Sequence, residues 1–442
     1  MTPRLQPSPR KLTLAALMAA TYFMVGGWPY GMEDTVAKAG YGGAILILLI
    51  TPALWAFPTT IMVSELSSAL PVDGGFYVWA ARGLGRFWGF QEAWLSLVGS
   101  IFDMALYPAL FVSYLGHFAP AVTAGGRGIA IGVGLIAAAA LWNLAGAKTV
   151  GGSSVAFGVA LLAPFAAVSV YAVWHRSAGG PLPPAPRHVD YLGGILVAMW
   201  NYMGWDNAST VAGEVERPQR TYPLAMAGAL LLVALNYTLP IGAVWLTGLD
   251  PNRWSTGGWA DVGRAVLGGS AAAGAVAAAI TIGGMLAAMG TLNALTLSYS
   301  RLPAAMAEDG LLPHLFARRM RGNDVPWVAV MACAAGWALC LGLSFTKLLM
   351  IDVLLTGLSI LLEFASLVAL RVREPALPRP YRVPGGLAGA IAVGVPPAAL
   401  LALTAMRTEA EPVGPINALE LGGILIACGV VAYSIGERIR KK

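Results

Sequence analysis

Charged residues are scarce in this 442-residue chain. Lys and Arg number 28, Asp and Glu number 22, and together they make up 11% of the chain, whereas a soluble domain carries about 25%. Hydrophobic residues reach 57%. So few charges cannot cover the water-exposed surface of a chain this long, which excludes a set of ordinary soluble domains. Apolar stretches of about 20 residues recur instead, a pattern typical of a polytopic helical membrane protein.

Cysteine and histidine are also rare, with 3 Cys and 4 His. The cysteines lie inside apolar runs with neither a disulfide framework nor metal-ligand spacing, and the histidines lie at the ends of such runs or between them. We therefore expect no metal, no cofactor and no enzymatic centre. The net charge of +6 does not predict nucleic-acid binding, because excess Lys and Arg in a membrane protein mostly marks cytoplasmic loops. No obligate protein partner is indicated.

The apolar stretches divide into twelve predicted membrane spans. Clusters of turn-forming residues separate several of them, at 71–75, 125–126 and 179–184. The first six spans are 12–38, 41–68, 85–116, 128–146, 150–174 and 189–213, and the second six are 221–247, 270–300, 326–344, 348–370, 386–406 and 418–436. A cytoplasmic N-terminus places most basic residues in inner loops, as this orientation requires. The sequence predicts an all-α protein of the cell (plasma or inner) membrane, with both termini cytoplasmic.

The first span is interrupted in its middle. Gly26 and Gly27 are followed by Pro29, and two acids, Glu33 and Asp34, come next. Glycine and proline both weaken a helix, the first through backbone entropy and the second through a missing donor and a steric clash. We expect a broken helix here. The alternative is a proline kink near the outer surface, with the two acids already in water.

The sixth span carries a matching interruption, a polar stretch from Trp200 to Ser209 that includes Gly204 and Asp206. The alternative is a polar stripe on an intact helix. Five spans separate the corresponding positions, and a repeat of five spans is inserted upside-down the second time. Paired breaks in two inverted halves mark the binding site of transporters with the LeuT-type fold. The sequence thus predicts a single transporter domain, with repeats at 12–174 and 189–370 and extra helices at 386–436.

At these residues the chain resembles the amino acid–polyamine–organocation superfamily, and within it the plant polyamine uptake (L-type-like) transporter group. The stretch Gly26–Asp34 resembles that group's Gly-Gly-Pro-Phe-Gly-Val-Glu-Asp, with Trp28 as an extra residue. The segments 87–92 and 103–108 resemble its third span, and 201–218 resembles its sixth span and the following loop. The resemblance covers nearly the whole chain and implies a permease for amino acids or polyamines.

Acids inside membrane spans are costly and mark functional sites by default. Asp103 lies near the middle of the third span with Tyr107 one turn on, and both are expected to face a substrate cavity. A structural pairing of Asp103 is the alternative. Asp206 lies at the sixth-span break, where capping of the following short helix is the alternative. Glu33 and Asp34 would begin the second half of helix 1, where the helix dipole stabilises negative charge.

Three further acids lie in the inner thirds of spans 2, 3 and 10, namely Glu65, Glu92 and Glu363, with Arg82, Arg86 and Arg371 as expected partners. They are expected to form an inner gate or scaffold. Glu214 and Glu216 form either a cytoplasmic latch or a solvated loop. Asp352, near the outer end of span 10, is expected to be exposed to water.

The predicted substrate site combines backbone, acids and aromatic residues at the two breaks: Gly26, Gly27, Trp28, Tyr30, Glu33, Asp34, Asp103, Tyr107, Trp200, Asn201, Tyr202, Trp205 and Asp206. Several carboxylates around one cavity favour an amine and repel a second carboxylate. We expect a small-molecule substrate, a polyamine or a cationic amino acid. Neutral amino acid transport and amino acid exchange stay open.

Coupling to protons is expected, with Asp103, Asp206 and Glu33 as candidate proton carriers. The predicted fifth span, 150–174, has no Lys or Arg, which argues against a lysine that replaces sodium, as some relatives have. A channel and a membrane enzyme are the remote alternatives. A channel needs no paired breaks, and an enzyme needs a cluster of catalytic side chains that the sequence lacks.

Overall fold

The computed structural model describes residues 12–26, 28–71, 75–145, 154–175, 183–268, 270–321, 325–409 and 412–440, except for the side chains at 154–159, 210–211, 213–214, 409 and 439–440. These residues are mostly helical. The α-helices of the first half are α1 Leu14–Met24, α2 Glu33–Thr51, α3 Phe57–Ala69, α4 Gly75–Leu84, α5 Arg86–Phe118, α6 Pro120–Thr123, α7 Arg127–Leu144 and α8 Ser154–Trp174. One π-helical turn, Pro52–Ala56, joins α2 to α3.

The second half continues the pattern. Its α-helices are α9 Tyr191–Asn201, α10 Pro218–Trp245, α11 Trp259–Leu267, α12 Ala272–Tyr299, α13 Arg301–Glu308, α14 Trp327–Leu339, α15 Phe345–Arg373, α16 Gly386–Glu409 and α17 Ala418–Arg440. Short 3₁₀ segments occupy Asp206–Glu214, Pro251–Arg253 and His314–Ala317. Two short antiparallel strands, β1 Pro412–Val413 and β2 Ile416–Asn417, lie between the last two helices.

Many of the helices are long and apolar enough to cross a membrane. Within the described ranges, eight helical stretches meet that requirement, and three shorter apolar helices accompany them, Leu14–Met24, Ala160–Trp174 and Trp327–Leu339. The short helices include both α1 and α14, which lie within predicted spans 1 and 9. The structure confirms a polytopic helical membrane protein. The exact number of crossings and the inverted repeat stay predictions.

The first predicted break is present. Helix α1 ends at Met24, α2 begins at Glu33, and the described residues between them, 25–26 and 28–32, form no helix. Gly26 and Gly31 both take a positive φ, 67° and 87°, a conformation that glycine adopts without steric cost. Glu33 and Asp34 lie in the first turn of α2, as predicted. Gly27 lies outside the described residues.

The second predicted break is present too, so an intact sixth-span helix is wrong. Helix α9 begins with a cap, in which the Asp190 carboxylate accepts from the Gly193 N–H at 2.9 Å, and it ends at Asn201. Gly204 has φ 91°, and a 3₁₀ segment follows from Asp206. A Cβ on Gly204 would lie 3.1 Å from the carbonyl oxygen of Met24. The two breaks therefore meet.

Helix α5 contacts residues that flank both breaks, because Tyr114 donates to Glu33 and Asp103 accepts from Trp200. Helix α5 packs against α12 and α15, while α2 packs against α9 and α1 against α10. The middle of α5, with Asp103, is thereby enclosed between the broken segments and two long helices. This arrangement forms the cavities described next.

Candidate functional site

A cavity lies between the two breaks and the helices α5, α12 and α15. Three acids line it: Asp103 from α5, Asp206 from the second break and Asp352 from α15. Each is nearly buried, with 7%, 7% and 2% of its surface exposed. The other lining residues are Met24, Val25, Phe76, Ser96, Tyr107, Trp200, Met203, Gly204, Asn207, Leu295, Tyr299 and Thr356. We call this the acidic cavity.

Asp103 is held by hydrogen bonds from aromatic side chains. Its Oδ1 accepts from Trp200 Nε1 at 3.0 Å, and its Oδ2 accepts from the Tyr299 hydroxyl at 3.4 Å. Tyr107 also hydrogen-bonds to this carboxylate. These donors orient Asp103 at the cavity wall as predicted. The same hydrogen bonds pair Asp103 with side chains of other helices, which was the alternative role. The structure therefore agrees both with a cavity-lining Asp103 and with a structurally paired one.

Asp206 is only partly satisfied. Its carboxylate contacts backbone N–H groups at residues 206 and 207, which is the capping interaction considered above. Its Oδ1 has no hydrogen-bond partner among the described residues. A buried carboxylate oxygen without a donor is costly, so this atom is available to a ligand in the cavity.

Asp352 corrects a prediction, because it is buried rather than exposed to water. It lines the acidic cavity and accepts from the Thr356 hydroxyl at 2.9 Å. Helix α15 starts at Phe345 and packs against α5, so a residue two turns from its start already faces the interior. A signal was present in the sequence: Asp352, Thr356, Ser359 and Glu363 form a polar stripe at helical spacing on an otherwise apolar helix.

A second cavity adjoins the first and carries no acid among its described lining residues. Val25, Tyr107 and Trp200 line both cavities. The remaining walls are Gly26, Trp28, Tyr30, Leu110, Asn201, Gly284, Ala287, Ala288 and Thr291. We call this the apolar cavity. It brings together Gly26, Trp28, Tyr30 and Asn201 of the predicted site.

Glu33 and Asp34 do not join the acidic cavity, contrary to expectation. Glu33 is fully buried and accepts from the Tyr114 hydroxyl. Asp34 accepts from the Thr256 hydroxyl at 2.9 Å and lines a separate cavity with Lys38. Both residues lie in the first turn of α2, but neither side chain lines the cavity that contains Asp103.

Trp205 and Tyr202 also lie away from both cavities and serve packing. The Trp205 indole donates to the Tyr202 carbonyl at 2.8 Å, and the Tyr202 hydroxyl donates to the Leu48 carbonyl at 3.0 Å. Both side chains are fully buried. The expectation that these rings line the cavity is wrong.

Side chains of neighbouring helices satisfy several carbonyls of the breaks. The Tyr237 hydroxyl lies 3.2 Å from the Gly26 carbonyl oxygen and 2.9 Å from that of Asn201, one in each break. Trp259 Nε1 donates to the Pro29 carbonyl at 2.7 Å. Irregular backbone at membrane depth persists only when its polar groups have partners, and these contacts provide them.

The profile of the amino acid permease family matches residues 17–415, almost the whole of this architecture. The chain belongs to the amino acid permease family. This permease is therefore a membrane transporter and not an enzyme, and the resemblance noted from the sequence is confirmed.

Similar proteins add detail. The permease is 35% identical to the polyamine transporter PUT1 of Oryza sativa subsp. japonica over 424 residues, which cover 95% of this chain and 78% of the rice protein. It is 32% identical to the polyamine transporter RMV1 of Arabidopsis thaliana, over 98% of this chain and 86% of that protein. It is also similar to the serine/threonine exchanger SteT of Bacillus subtilis, with 26% identity over 84% of each chain.

The predicted inner acid Glu65 has its predicted partner in the permease. Arg371 forms a two-pronged ion pair with Glu65, and both side chains are almost completely buried. Arg379 lies 3.3 Å from the same carboxylate, and the Val383 N–H donates to it at 2.7 Å. This cluster ties α3, α15 and the segment after α15 together, as expected of a scaffold.

Glu92 and Glu363 lack the arginine partners that were expected. Arg82 instead pairs with Glu374 at 2.7 Å, and this contact holds the pKa of the exposed Glu374 carboxyl below its usual range. Arg86 pairs with Glu437 at 3.3 Å. The two buried acids are left to other contacts, described below.

The predicted cytoplasmic latch is only partly visible. Glu216 is exposed, and its backbone N–H donates to the Leu12 carbonyl at 2.9 Å. The side chain of Glu214 lies outside the described residues. The latch stays a prediction.

Proposed function

We propose that this permease is a secondary active transporter that carries cationic amines, either polyamines or cationic amino acids, together with protons. The observation that supports this most strongly is the acidic cavity. Asp103, Asp206 and Asp352 line it, and its described lining residues include no Lys, Arg or His. A substrate ammonium group would supply the missing positive charge.

The electrostatics favour an amine over a second carboxylate. Charges interact strongly in a buried site of low dielectric, so three aspartates attract an ammonium group and repel a substrate carboxylate. Tyr107 and Trp200, with ring centroids 6.0 Å apart, add aromatic faces that stabilise a cation. Two of the similar proteins are named polyamine transporters, which agrees with this chemistry.

We propose the LeuT-type architecture for the membrane domain, with twelve spans and inverted repeats at 12–174 and 189–370. The support is that the two helix breaks lie five predicted spans apart and meet at Gly204 and Met24. Alternating access then proceeds by rocking of one bundle against the other around the breaks. The protein would lie in the cell membrane with both termini in the cytoplasm.

Neutral amino acid exchange is a second candidate, favoured by the apolar cavity. That cavity has no acid among its described lining residues, and Gly26 of the first break forms part of its wall. A bare backbone break can bind a substrate carboxylate through its N–H groups. The similarity to the serine/threonine exchanger SteT supports this alternative.

Uptake by the purified protein in liposomes tests these proposals. The substrates are putrescine, spermidine, arginine and neutral amino acids, each with and without an inward proton gradient. We expect the amines to compete for one site and the gradient to drive their accumulation. Competition by neutral amino acids alone contradicts the amine proposal, and uptake driven only by sodium contradicts proton coupling.

A further inference from the structure

A buried polar cluster adjoins the acidic cavity, between α5 and α15. It consists of Glu92 and Ser96 on one helix and Ser359 and Glu363 on the other, each pair one turn apart. Both glutamates are fully buried, and the serines are nearly so. Ser96 also lines the acidic cavity. The cluster therefore connects to the proposed substrate site.

Three oxygen atoms in this cluster form a triangle of short contacts. Glu92 Oε1 lies 3.0 Å from Ser96 Oγ and 2.8 Å from Ser359 Oγ. The two serine oxygens are 2.9 Å apart. Each hydroxyl has one hydrogen, so the two serines can fill only two of the three contacts. A proton on Glu92 would fill the third.

Glu363 presents a second unsatisfied carboxyl group. Neither of its oxygens has a hydrogen-bond partner among the described residues, and Oε2 of Glu92 has none either. Within the described residues, the charges that act on Glu363 are those of Asp206 and Glu92, both negative. A buried, unpaired carboxylate is costly, and like charges add to that cost. A proton on either glutamate removes one of these buried charges and lowers that cost.

The cations on the neighbouring helices are engaged elsewhere. Arg371 on α15 pairs with Glu65 of α3, Arg82 of α4 pairs with Glu374, Arg86 of α5 pairs with Glu437 of α17, and Arg407 of α16 pairs with Asp190 before α9. Tyr77 of α4 lies close enough to Glu92 to feel its charge, but the Tyr77 hydroxyl donates its hydrogen to Asp309. None of these groups supplies a positive charge to the cluster.

The cluster offers the hydrogen-bond donors and acceptors that a proton requires. The described part of the chain contains no group of three or more His, Cys, Asp or Glu side chains arranged to hold a metal. The serine hydroxyls, by contrast, can accept and donate hydrogens in sequence. The cluster has the chemistry of a proton site with a hydroxyl path to the cavity.

We propose that Glu92 and Glu363 form the proton-binding site of this permease, separate from the aspartates that hold the substrate. This inference rests on the proposed proton-coupled transport. In the release step, the O–H bond of Glu92 breaks and its proton passes to Ser359. Ser359 gives its own hydrogen to Ser96, and Ser96 gives its hydrogen to a group in the acidic cavity. Both hydroxyls are restored, and one proton has moved.

The test separates coupling from substrate binding in liposomes. Counterflow of labelled putrescine, without any gradient, reports binding and exchange, while accumulation under an inward proton gradient and an internal pH dye report coupling. We expect Glu363→Gln and Glu92→Gln to keep counterflow within about twofold. Their gradient-driven accumulation and dye signal should fall at least tenfold. Glu363→Asp keeps an ionisable carboxyl group and should retain coupling.

Controls keep the outcome decisive. Glu308→Gln changes an exposed acid that pairs with Arg319 and should behave as wild type. Glu363→Gln loses no described hydrogen bond, so it should fold normally by size-exclusion profile and melting temperature, and it decides the case if Glu92→Gln does not fold. Gln variants that accumulate putrescine like wild type overturn this inference alone. A wild type that accumulates no amine under the gradient overturns the proposed function as well.

Discussion

Replacing Asp103 by Asn removes one negative charge from the acidic cavity while preserving most of its contacts. The Asn carbonyl oxygen can still accept from Trp200, and its amide can donate to the Tyr299 hydroxyl oxygen, where the carboxylate now accepts at 3.4 Å. We therefore expect Asp103→Asn to fold. What it loses is a carboxylate that can pair with a substrate ammonium group.

The size of the loss follows from the kind of contact removed. A hydrogen bond to a charged group contributes about 1.5–3 kcal/mol, which corresponds to an affinity loss of about 10- to 150-fold. The lower half of that range is expected here, because Asp206 and Asp352 still line the cavity. A neutral substrate should lose much less, since it makes no ammonium contact.

The assay is competition against labelled putrescine in liposomes, run in parallel with a neutral amino acid. Asp261→Asn is the matched control, because Asp261 lies in α11, is half exposed and pairs with His117 and Arg264. We expect this control to bind like wild type. If folded Asp103→Asn binds putrescine with unchanged affinity, the assignment of Asp103 to the amine site is refuted.

Two further substitutions test the framework around the site. Gly204→Val places a β-branched residue at φ 91° and a Cβ 3.1 Å from a carbonyl oxygen. The resulting strain of about 1–3 kcal/mol should lower both the transport rate and the melting temperature. Gly134→Ala, where a Cβ would meet open space, should change neither, and an equal effect of the two substitutions would contradict the role of the break. Arg371→Met removes the two-pronged partner of the buried Glu65 and leaves it only Arg379 at 3.3 Å and the Val383 N–H. Breaking a buried pair costs about 3–5 kcal/mol of stability, and the lower end of that range should appear as a fall in melting temperature. Arg82→Met, which removes an exposed pair, should have a much smaller effect, and equal shifts would contradict the buried pairing.

The helix breaks could be predicted because their causes are local. Gly26, Pro29 and Gly204 disturb a helix through their own backbone chemistry, whatever packs around them. The pairing of Glu65 with Arg371 was also predictable, since a buried acid in an apolar span requires a positive partner. The position of Asp103 at the cavity wall was predictable because an acid in the middle of a membrane span is costly unless it faces a cavity or a partner.

The composition of the cavity wall could not be predicted in the same way. The position of Asp352 in its span predicts a place near the membrane surface, yet helix packing brings it into the same cavity wall as Asp103. Glu33 and Asp34 follow the first break directly, yet their carboxylates accept from Tyr114 and Thr256 and do not line the acidic cavity. Both outcomes depend on helix rotation and depth, which span boundaries do not define.

The sequence by itself determined the class of protein, the two breaks and the family, because scarce charge, apolar runs and glycine or proline act over a few residues at a time. Only the tertiary structure decided which acids share a cavity, which of them have partners and which stay bare. The composition of the cavity wall depends on contacts between α5, α15 and the second break, which are far apart in the chain. Packing between these elements sets how each helix is rotated. Glu92 and Glu363 lie on two of these facing helices, and their proximity to the cavity is a property of the assembled fold.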